Sequence, residues 1–552
     1  MKKKKLRYNA VEPIASIGEM LDNSCARYDR AAFLWQEGGE EKSVSYRRFG
    51  EEARALGAAL SARGLGRIVC IGENSYRWAL CYLAVLATGG VFIPLDRMAE
   101  DAAILHLVRH SEADAVVYSG KRAEELFSAH REELDGVKAF LSMDVPAHTE
   151  TVLSLDTLVR EGEGIEAPAI PEKHPDDVRL LVYTSGTTGD PKGVMLTEHN
   201  LVSGVYYGLM VCDVQTRCLS ILPYHHTYEA VCGLLVALCR GVTVCINENL
   251  RTVLPNLKRY QPDYMYVVPA FLELFYRRIW DQAKKQGKAE KLARTLRFSE
   301  CLRACGIDLR KRLFSSVREN FGGRIYKFVC GGAPLRREVA DFFESIGIRV
   351  IIGYGITECS PLVCTNRDQE SDPDTVGYPL PCLELKIASP DEDGNGEILV
   401  RGDVVMKGYF KDEARTAEVL RDGWFYTGDI GHLNARGQLL ITGRKKNVII
   451  LPNGKNVYPE EIEGALMRLE YVKEVLVRPY EKTGEGDKQG LLAEAFLDEK
   501  KLSALSVTDP AARFKADVDA ICDTLPPHQR ITRTVLRDTE FAKTTSGKIR
   551  RV

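Results

Sequence analysis

Apolar runs of strand length alternate with helix-length segments along most of the chain. Residues 67–71 have the pattern of a short strand and 76–88 that of a helix; Gly89-Gly90 breaks the helix, and 91–94 begins the next strand. The pattern returns downstream as a strand at 219–222, a helix at 229–239 and a strand at 242–246 after Gly241. A further strand at 264–268 is followed by a helix through Trp280. Residues 325–330 lead through Gly331-Gly332 into a helix around 336–345, and 349–352 follows as a strand. This spacing predicts mainly parallel sheets covered by helices, one mostly before residue ~175 and one mostly after it. Near the start, Ile14, Ile17, Met20 and Leu21 fit the buried stripe of a helix beginning near Pro13.

The texture changes after Pro361. Turn signals crowd between short β-like runs (Gly377-Tyr378-Pro379, Asp393-Gly394-Asn395-Gly396, Arg401-Gly402, Asp422-Gly423), which predicts a small antiparallel β unit to about Gly443. Past Arg444, apolar runs at 447–451 and 455–458 flank Pro452-Asn453-Gly454, and Asn-Gly between two such runs is a strong hairpin signal. Pro459-Glu460-Glu461 then opens a helix with proline early and acids in the first turn. The predicted fold class is α/β. A large N-terminal domain over residues 1–443 holds two parallel-type, helix-covered sheets plus a small β unit, in parts 1–175, 176–360 and 361–443. A small α+β C-terminal domain follows over 444–552.

At 552 residues the chain is too long for one hydrophobic core. Its formal net charge of -2 supplies no global field, so no nucleic-acid partner is expected. The basic start, Lys2 to Lys5, is not followed by the apolar run of a signal peptide. It reads as a solvated tail, with weak peripheral contact to acidic lipid heads as the other reading. No stretch of ~18 apolar residues occurs, so no transmembrane segment is expected. The fifteen cysteines include no Cys-x-x-Cys pair, and Cys232, Cys239 and Cys245 sit inside apolar runs. They read as reduced, buried thiols of a cytoplasmic protein.

The sharpest local signal is Tyr183-Thr-Ser-Gly-Thr-Thr-Gly-Asp-Pro-Lys-Gly193, entered by a β-like run at 180–183. Its glycines let the backbone approach a ligand and turn N–H groups inward. The hydroxyls of Thr184, Ser185, Thr187 and Thr188 can donate to phosphate oxygens, and Lys192 adds a positive charge. The string departs from the P-loop pattern, because Gly189 is followed by Asp-Pro-Lys and a helix cannot begin there in the same way.

With this string the chain resembles the adenylate-forming superfamily, which includes acyl-CoA synthetases, adenylation domains of peptide synthetases and luciferases. The likeness spans roughly residues 30–552, and further motifs follow in the family's order. It implies an ATP-using enzyme of the adenylate-forming fold that joins a carboxylic acid to AMP. Thr184, Ser185, Gly186, Thr187, Thr188, Gly189 and Lys192 would embrace the β- and γ-phosphates, with Thr184 and Lys192 taking part in catalysis.

Gly353-Tyr354-Gly355-Ile356-Thr357-Glu358 resembles the motif that holds adenine, α-phosphate and metal. Tyr354 would lie on the adenine beside Gly355, Thr357 would bind the α-phosphate, and Glu358 would ligate Mg²⁺. A carboxylate near a polyphosphate is repelled unless a cation lies between them, and Mg²⁺ prefers oxygen ligands. Gly331-Gly332-Ala333-Pro334 matches backbone lining the adenine pocket, and Asp429 with Arg444 resembles the ribose-binding pair. Lys446 stands where the family places its hinge, about which a mobile C-terminal domain swings. Lys548, in Lys543-Thr-Thr-Ser-Gly-Lys548, matches the catalytic lysine; Thr545 replaces a proline common there. Read alone, that segment would be a basic tail.

Pro223-Tyr-His-His-Thr-Tyr-Glu229 resembles the segment flanking the acyl pocket, with His226 and Tyr228 as substrate-pocket candidates. This segment and the Asn453-Gly454-Lys455-Asn456 turn look most like long-chain fatty acyl-CoA synthetases. Gly454 would lie near the pantetheine tunnel and Asn456 would contact phosphate of CoA. Two half-reactions are implied: adenylation of a carboxylic acid, a fatty acid of long or medium chain, then transfer to a thiol, that of CoA or of an acyl-carrier protein. An aryl acid–CoA ligase, a non-catalytic binding module and a luciferase-like oxygenase are the other readings. Asp391-Glu-Asp-Gly-Asn-Gly396 imitates an EF-hand start, but Gly402 stands at the twelfth position, so it reads as a hairpin turn. His106 and His110 share a helical face without the zinc-protease glutamate, and read as a solvated or capped face.

Overall fold

The structure, a computed structural model, describes residues 6–165, 174–184, 191–451, 455–481, 489–543, 549 and 551. They divide into two units, Met1–Glu384 with Val400–Phe425, and Leu385–Leu399 with Tyr426–Val552.

The first unit holds two large sheets. The nine-stranded sheet has the spatial order Tyr378–Pro379, Leu362–Thr365, Arg349–Gly355, Lys327–Cys330, Tyr264–Val267, Arg217–Ser220, Thr243–Ile246, Ala31–Glu37, Glu40–Ser45. Its six middle strands pair in parallel and antiparallel strands close both edges. The eight-stranded sheet has the order Gly408–Tyr409, Lys192–Thr197, Val178–Thr184, Val91–Leu95, Arg67–Ile71, Ala115–Tyr118, Ala139–Ser142, Leu153–Ser154. Six of its strands are parallel; Lys192–Thr197 and Gly408–Tyr409 add antiparallel. Parallel strands covered on both faces must be apolar throughout, which is why 115–118 and 264–267 are wholly buried.

The partition between sheets differs from the division near residue 175. The hairpin 31–45 joins the later sheet because Phe33 and Leu34 pair with Val244 and Cys245, and strands 178–184 and 192–197 complete the earlier one. The first helix begins at Ile17, not near Pro13: the Ser16 hydroxyl accepts from the Glu19 amide and caps it there. Ile17, Met20 and Leu21 are buried on it and Ile14 lies before it. The helix through Trp280 continues to Lys285.

Helix Tyr76–Ala87 links the two sheets; only Arg77 on it is not buried. Trp78 packs on Phe92 of the eight-stranded sheet (5.0 Å) and on Tyr224, just past strand 217–220 (5.1 Å). Before the helix, Asn74 bonds the Leu222 carbonyl at 2.7 Å and the Tyr224 amide at 2.9 Å. This fixes the chain that leads into His225 and His226.

Strands Leu383–Ala388, Gly396–Gly402, Leu420–Arg421, Trp424–Leu433 and Leu439–Arg444 form a five-stranded sheet. In the second unit Ile449–Ile450 pairs with Asn456–Val457, and Pro459–Leu466 is the helix expected after it; the turn 452–454 lies outside the described residues. Val472–Glu481, Gln489–Leu497 and Arg533–Arg537 form a three-stranded sheet. Ile462, Leu466, Val475, Val477, Ala493, Phe514 and Val518 build its core. Among the described residues, no helix is long and apolar enough to cross a membrane.

A buried ion pair sits at the base of the hairpin 178–197. Arg179 Nε donates to Glu198 Oε2 at 2.7 Å, and both side chains are under a tenth exposed. The Ile17 amide donates to Glu198 Oε1 at 2.7 Å, while Arg179 Nη1 donates to the Gly89 carbonyl at 2.9 Å. Asp177 takes Nη2 at 3.0 Å. Every charge is thus met, which is what makes a buried pair tolerable. Glu198→Ala leaves Arg179 buried without its main partner and should destabilise the first unit by ~3–5 kcal/mol. A urea midpoint of the first unfolding transition unchanged from wild type would contradict this.

Residues Tyr228–Leu235 form a π-helix, with the Val236 amide donating to the Val231 carbonyl. Glu229 is buried at its start, bonded by the Ser220 hydroxyl, while Oε2 has no partner among the described residues. Gly233 makes the room, since a Cβ there would stand 2.6 Å from the Glu229 carboxyl. Burial pushes this carboxyl up to about 8. Folded chains therefore hold a proton that unfolded chains release near the ordinary 4.5, so stability is full below that value and falls as pH rises to about 8. Glu229→Gln should flatten this slope and be the more stable form above about pH 8, by up to a few kcal/mol. Melting temperatures at about pH 6 and about pH 9 check it; parallel slopes for the two proteins would refute it.

Candidate functional site

Thr184 ends strand 178–184 and Lys192 starts its antiparallel partner, so the two face each other across the mouth of the hairpin. Ser185, Gly186, Thr187, Thr188 and Gly189, between them, lie outside the described residues. The hydroxyl of Tyr183 meets His110 Nδ1 at 2.7 Å, and the His110 ring packs edge-on against Tyr183 and Phe410. His110 therefore braces the loop's entrance and is not simply a solvated helix face. Burial keeps its imidazole below the usual range.

Gly408–Tyr409 adds to this hairpin, with Tyr409 opposite Val194 and the Phe410 amide bonded to the Gly193 carbonyl at 2.7 Å. Lys192 Nζ lies 5.0 Å from the centre of the Tyr409 ring, and the Tyr409 hydroxyl donates to Glu358 Oε1 at 3.0 Å. A cation, an aromatic face, a phenol and a carboxylate thus stand in one row. Burial and then the Glu358 charge push the Tyr409 phenol well up, so it remains a donor.

Glu358 follows strand Arg349–Gly355 in the short turn Thr357–Cys359. Its carbonyl accepts from the Met406 amide at 2.8 Å, which ties the turn to the segment carrying Tyr409. Gly355 cannot be replaced cheaply: a Cβ would lie 2.3 Å from the Pro361 carbonyl oxygen. Tyr354, Thr357 and Glu358 are half-buried along this edge. Among the described residues no group of three or more His, Cys, Asp or Glu could hold a metal on protein ligands alone. One half-buried carboxylate beside a hydroxyl is instead the hard-oxygen share that Mg²⁺ takes from a protein when phosphates supply the rest.

Gly331, Gly332, Ala333 and Pro334 connect strand 327–330 to helix Arg337–Ser345, and the last three are exposed. Gly332 has a φ of +86°, a conformation glycine adopts without strain. Tyr228 donates to the Val329 carbonyl at 2.8 Å, stands edge-on to Tyr266 and presses its ring on Gly331, where a Cβ would be 3.3 Å away. The structure therefore brings Tyr228 to the glycine segment. His226 is exposed beside His225, ring centres 4.3 Å apart. Burial, then the His226 charge, hold His225 neutral, down to about 4.

In the second unit Asp429 and Arg444 are cross-strand partners, and Arg444 Nε donates to Asp429 Oδ1 at 2.8 Å. Asp429 is buried and Arg444 exposed. Gly443 sits against Glu460, 2.7 Å from where its Cβ would be. Lys446 is exposed in the turn Lys445–Asn447, and Asn456 is half-buried in its short strand. Gly454 and Lys548 lie outside the described residues. Arg551, three positions beyond Lys548, pairs with Glu463 and, at 3.5 Å, with Glu460. Asp391 accepts from the Asp393 and Asn395 amides at 3.1 and 2.9 Å, a hairpin turn as expected.

Sequence reasoning did not single out Tyr409, His110 as a brace, or Glu229. A tyrosine after a glycine in a turn-rich stretch carries no chemical signal until the fold sets it between Lys192 and Glu358.

Comparison with known proteins places the chain in a family. The family described as "AMP-binding enzyme" matches residues 21–410, and "AMP-binding enzyme C-terminal domain" matches 446–552. Long-chain-fatty-acid–CoA ligase 1 of Homo sapiens is 31% identical over 473 residues, 79% of this chain and 67% of that protein. Long-chain-fatty-acid–CoA ligase FadD15 of Mycobacterium bovis is 30% identical over 500 residues, 85% of this chain and 80% of that one. The crystal structure of the anthranilate CoA ligase AuaEII in complex with anthranoyl-AMP superposes with a TM-score of 0.76 over 98% of this chain and 96% of its own, at 19% identity, a likeness of fold. The chain belongs to the AMP-binding enzyme family.

Proposed function

We propose that this AMP-forming acid–thiol ligase activates a long-chain fatty acid with ATP and passes the acyl group to CoA. The row of Lys192, Tyr409 and Glu358 at the end of the eight-stranded sheet is the observation that carries the reading. It offers a cation for phosphate and a carboxylate suited to a metal, held apart by an aromatic ring.

In the first half-reaction a carboxylate oxygen of the acid attacks the α-phosphorus. The bond from that phosphorus to the bridging oxygen breaks, and pyrophosphate leaves with the electron pair. Lys192 and the hydroxyls from Thr184 onward hold the leaving phosphates, Thr357 holds the α-phosphate, and Tyr354 lies on the adenine. Glu358 would hold Mg²⁺, which when bound offsets negative charge on the phosphates. Asp429 and Arg444 take the ribose, and Lys548 meets the charge that grows toward pyrophosphate. In the second half-reaction the CoA sulfur attacks the acyl carbon, the bond to AMP breaks, and the thiol proton passes to solvent. Residues 444–552 turn near Lys446 between the two steps, with Gly454 and Asn456 on the CoA side.

His226 and Tyr228 border the acid. The names of the two fatty-acid ligases at about 30% identity support a long chain over an aryl acid. All fifteen cysteines are free thiols, which supports a reducing, cytoplasmic setting. Pyrophosphate release over a panel of acids of graded length, with CoA and then an acyl-carrier protein as acceptor, tests substrate and acceptor together. Preference for aryl or short acids, or transfer only to the carrier protein, would overturn the assignment.

Lys548→Ala should lower adenylation about a hundredfold or more, while thioester formation from supplied acyl-AMP stays near wild type. Equal loss in both halves would remove its assigned role. Tyr409→Phe deletes the bond that orients Glu358 and should raise the Mg²⁺ concentration for half-maximal pyrophosphate release by about 10- to 100-fold. An unshifted Mg²⁺ titration would rule out that positioning.

A further inference from the structure

The chain carries a concentrated basic region that adenylation does not use. Between residues 269 and 318 stand 13 Lys and Arg against 5 Asp and Glu, a net +8 in a chain whose net charge is -2. Eleven of the thirteen cations are exposed, and of these only Arg294 has an acidic partner within 4 Å among the described residues. Apolar side chains are interleaved with them: Leu274, Phe298, Ile307 and Leu309 are 38–56% exposed. This region alone holds four of the ten large apolar side chains exposed among the described residues.

Helix Ala289–Ala304 concentrates the pattern. Lys291, Arg294, Phe298, Cys301 and Cys305 recur at spacings of three and four, on one face, and all are exposed. Only Ser299 on this helix is buried, so it is thinly attached to its own unit. On helix Pro269–Lys285, Leu274, Arg277, Arg278 and Lys285 make a similar exposed stripe. Beside that stripe, a cavity of about 270 Å³ has a floor of Phe275, Ile279 and Phe321. Lys258 and Arg278 stand at its rim without an ion pair to any described residue.

We propose that the outer faces of these two helices dock on an anionic lipid bilayer, with the cavity receiving the phosphate and first methylenes of one lipid. Cations alone would suit any polyanion. Phenylalanine, leucine and isoleucine set among them suit an interface where charge meets hydrocarbon, because each apolar side chain left in water gains only by leaving it. None of these residues belongs to the Lys2–Lys5 run or is among those assigned to ATP, acid and CoA.

The full chain is tested by flotation with vesicles of phosphatidylcholine alone and of phosphatidylcholine with phosphatidylglycerol in equal parts. Cys301 and Cys305, the two exposed thiols among fifteen cysteines, take an environment-sensitive fluorophore for the same experiment. Binding should need phosphatidylglycerol, weaken with salt, and shift the fluorophore to the blue. The triple variant Lys291→Glu, Arg294→Glu, Arg297→Glu should weaken binding by about a hundredfold or more. Phe298→Ser should abolish most of the blue shift, and Lys2→Gln to Lys5→Gln together should leave binding intact. Melting temperature and pyrophosphate release in solution should match wild type in all these variants. No flotation with phosphatidylglycerol, flotation insensitive to the triple variant, flotation without a blue shift, or tighter binding to duplex RNA than to vesicles would each overturn the proposal.

Discussion

The buried pair of Arg179 and Glu198 is the constraint on which the first unit's part of the candidate site depends. It locks the base of a hairpin whose far end presents Thr184 and Lys192. Glu198 also opens helix Glu198–Val211, where Thr197 and Asn200 form a capping box. Asn200 then reaches outward, donating to the carbonyls of Asp403 and Val405 at 2.7 and 2.9 Å. The next residue, Met406, bonds the Glu358 carbonyl, and Lys407 and Phe410 bond back to the hairpin at Met195 and Gly193. Three segments far apart in sequence, around 178–211, Glu358 and 403–410, are thereby referred to one buried charge. A buried charge is a poor source of net stability, yet its partners cannot shift without a large penalty. That makes it a good reference point for a site that must hold geometry.

The row at the end of this scaffold gains from what it avoids. A lysine and a glutamate in direct contact would largely satisfy each other, and a polyphosphate would have to break that pair before using either. Here the Tyr409 ring takes the Lys192 charge on its face and its hydroxyl occupies one Glu358 oxygen. Cation–π attraction is weaker than a desolvated ion pair, so the ammonium exchanges the ring for phosphate at lower cost. The ring is fixed in turn, because Gly408–Tyr409 is stitched into the hairpin that carries Lys192.

Much of the fold was legible because parallel strands buried on both faces read as largely apolar runs, with glycine or proline close to their ends. Runs at 67–71, 243–246 and 264–267 declare themselves this way. What local pattern does not contain is which strand lies beside which. The hairpin 31–45 carries no mark of the sheet it joins; Phe33 finds Val244 more than two hundred residues away. The π-helix at 228–235 was equally hidden, since an apolar run of this kind carries no local mark that separates a wider helical turn from an α-helix.

The candidate site divides along the same line. Thr184 with Lys192 and Asp429 with Arg444 are hairpin partners, so motifs read separately along the chain become neighbours once strands pair. Tyr409 and His110 act through contacts that only the tertiary fold creates, and their types are too common to stand out. Glu229 stands in plain sight beside two histidines. Its neighbours suggest chemistry, yet its burial, its bond from Ser220 and its raised proton affinity describe a neutral core carboxyl. Residue type alone cannot separate a reactive carboxylate from such a group, because the difference lies in the water each one sees. Glu358 keeps a half-exposed edge and accepts from the Tyr409 hydroxyl, whereas Glu229 is fully buried.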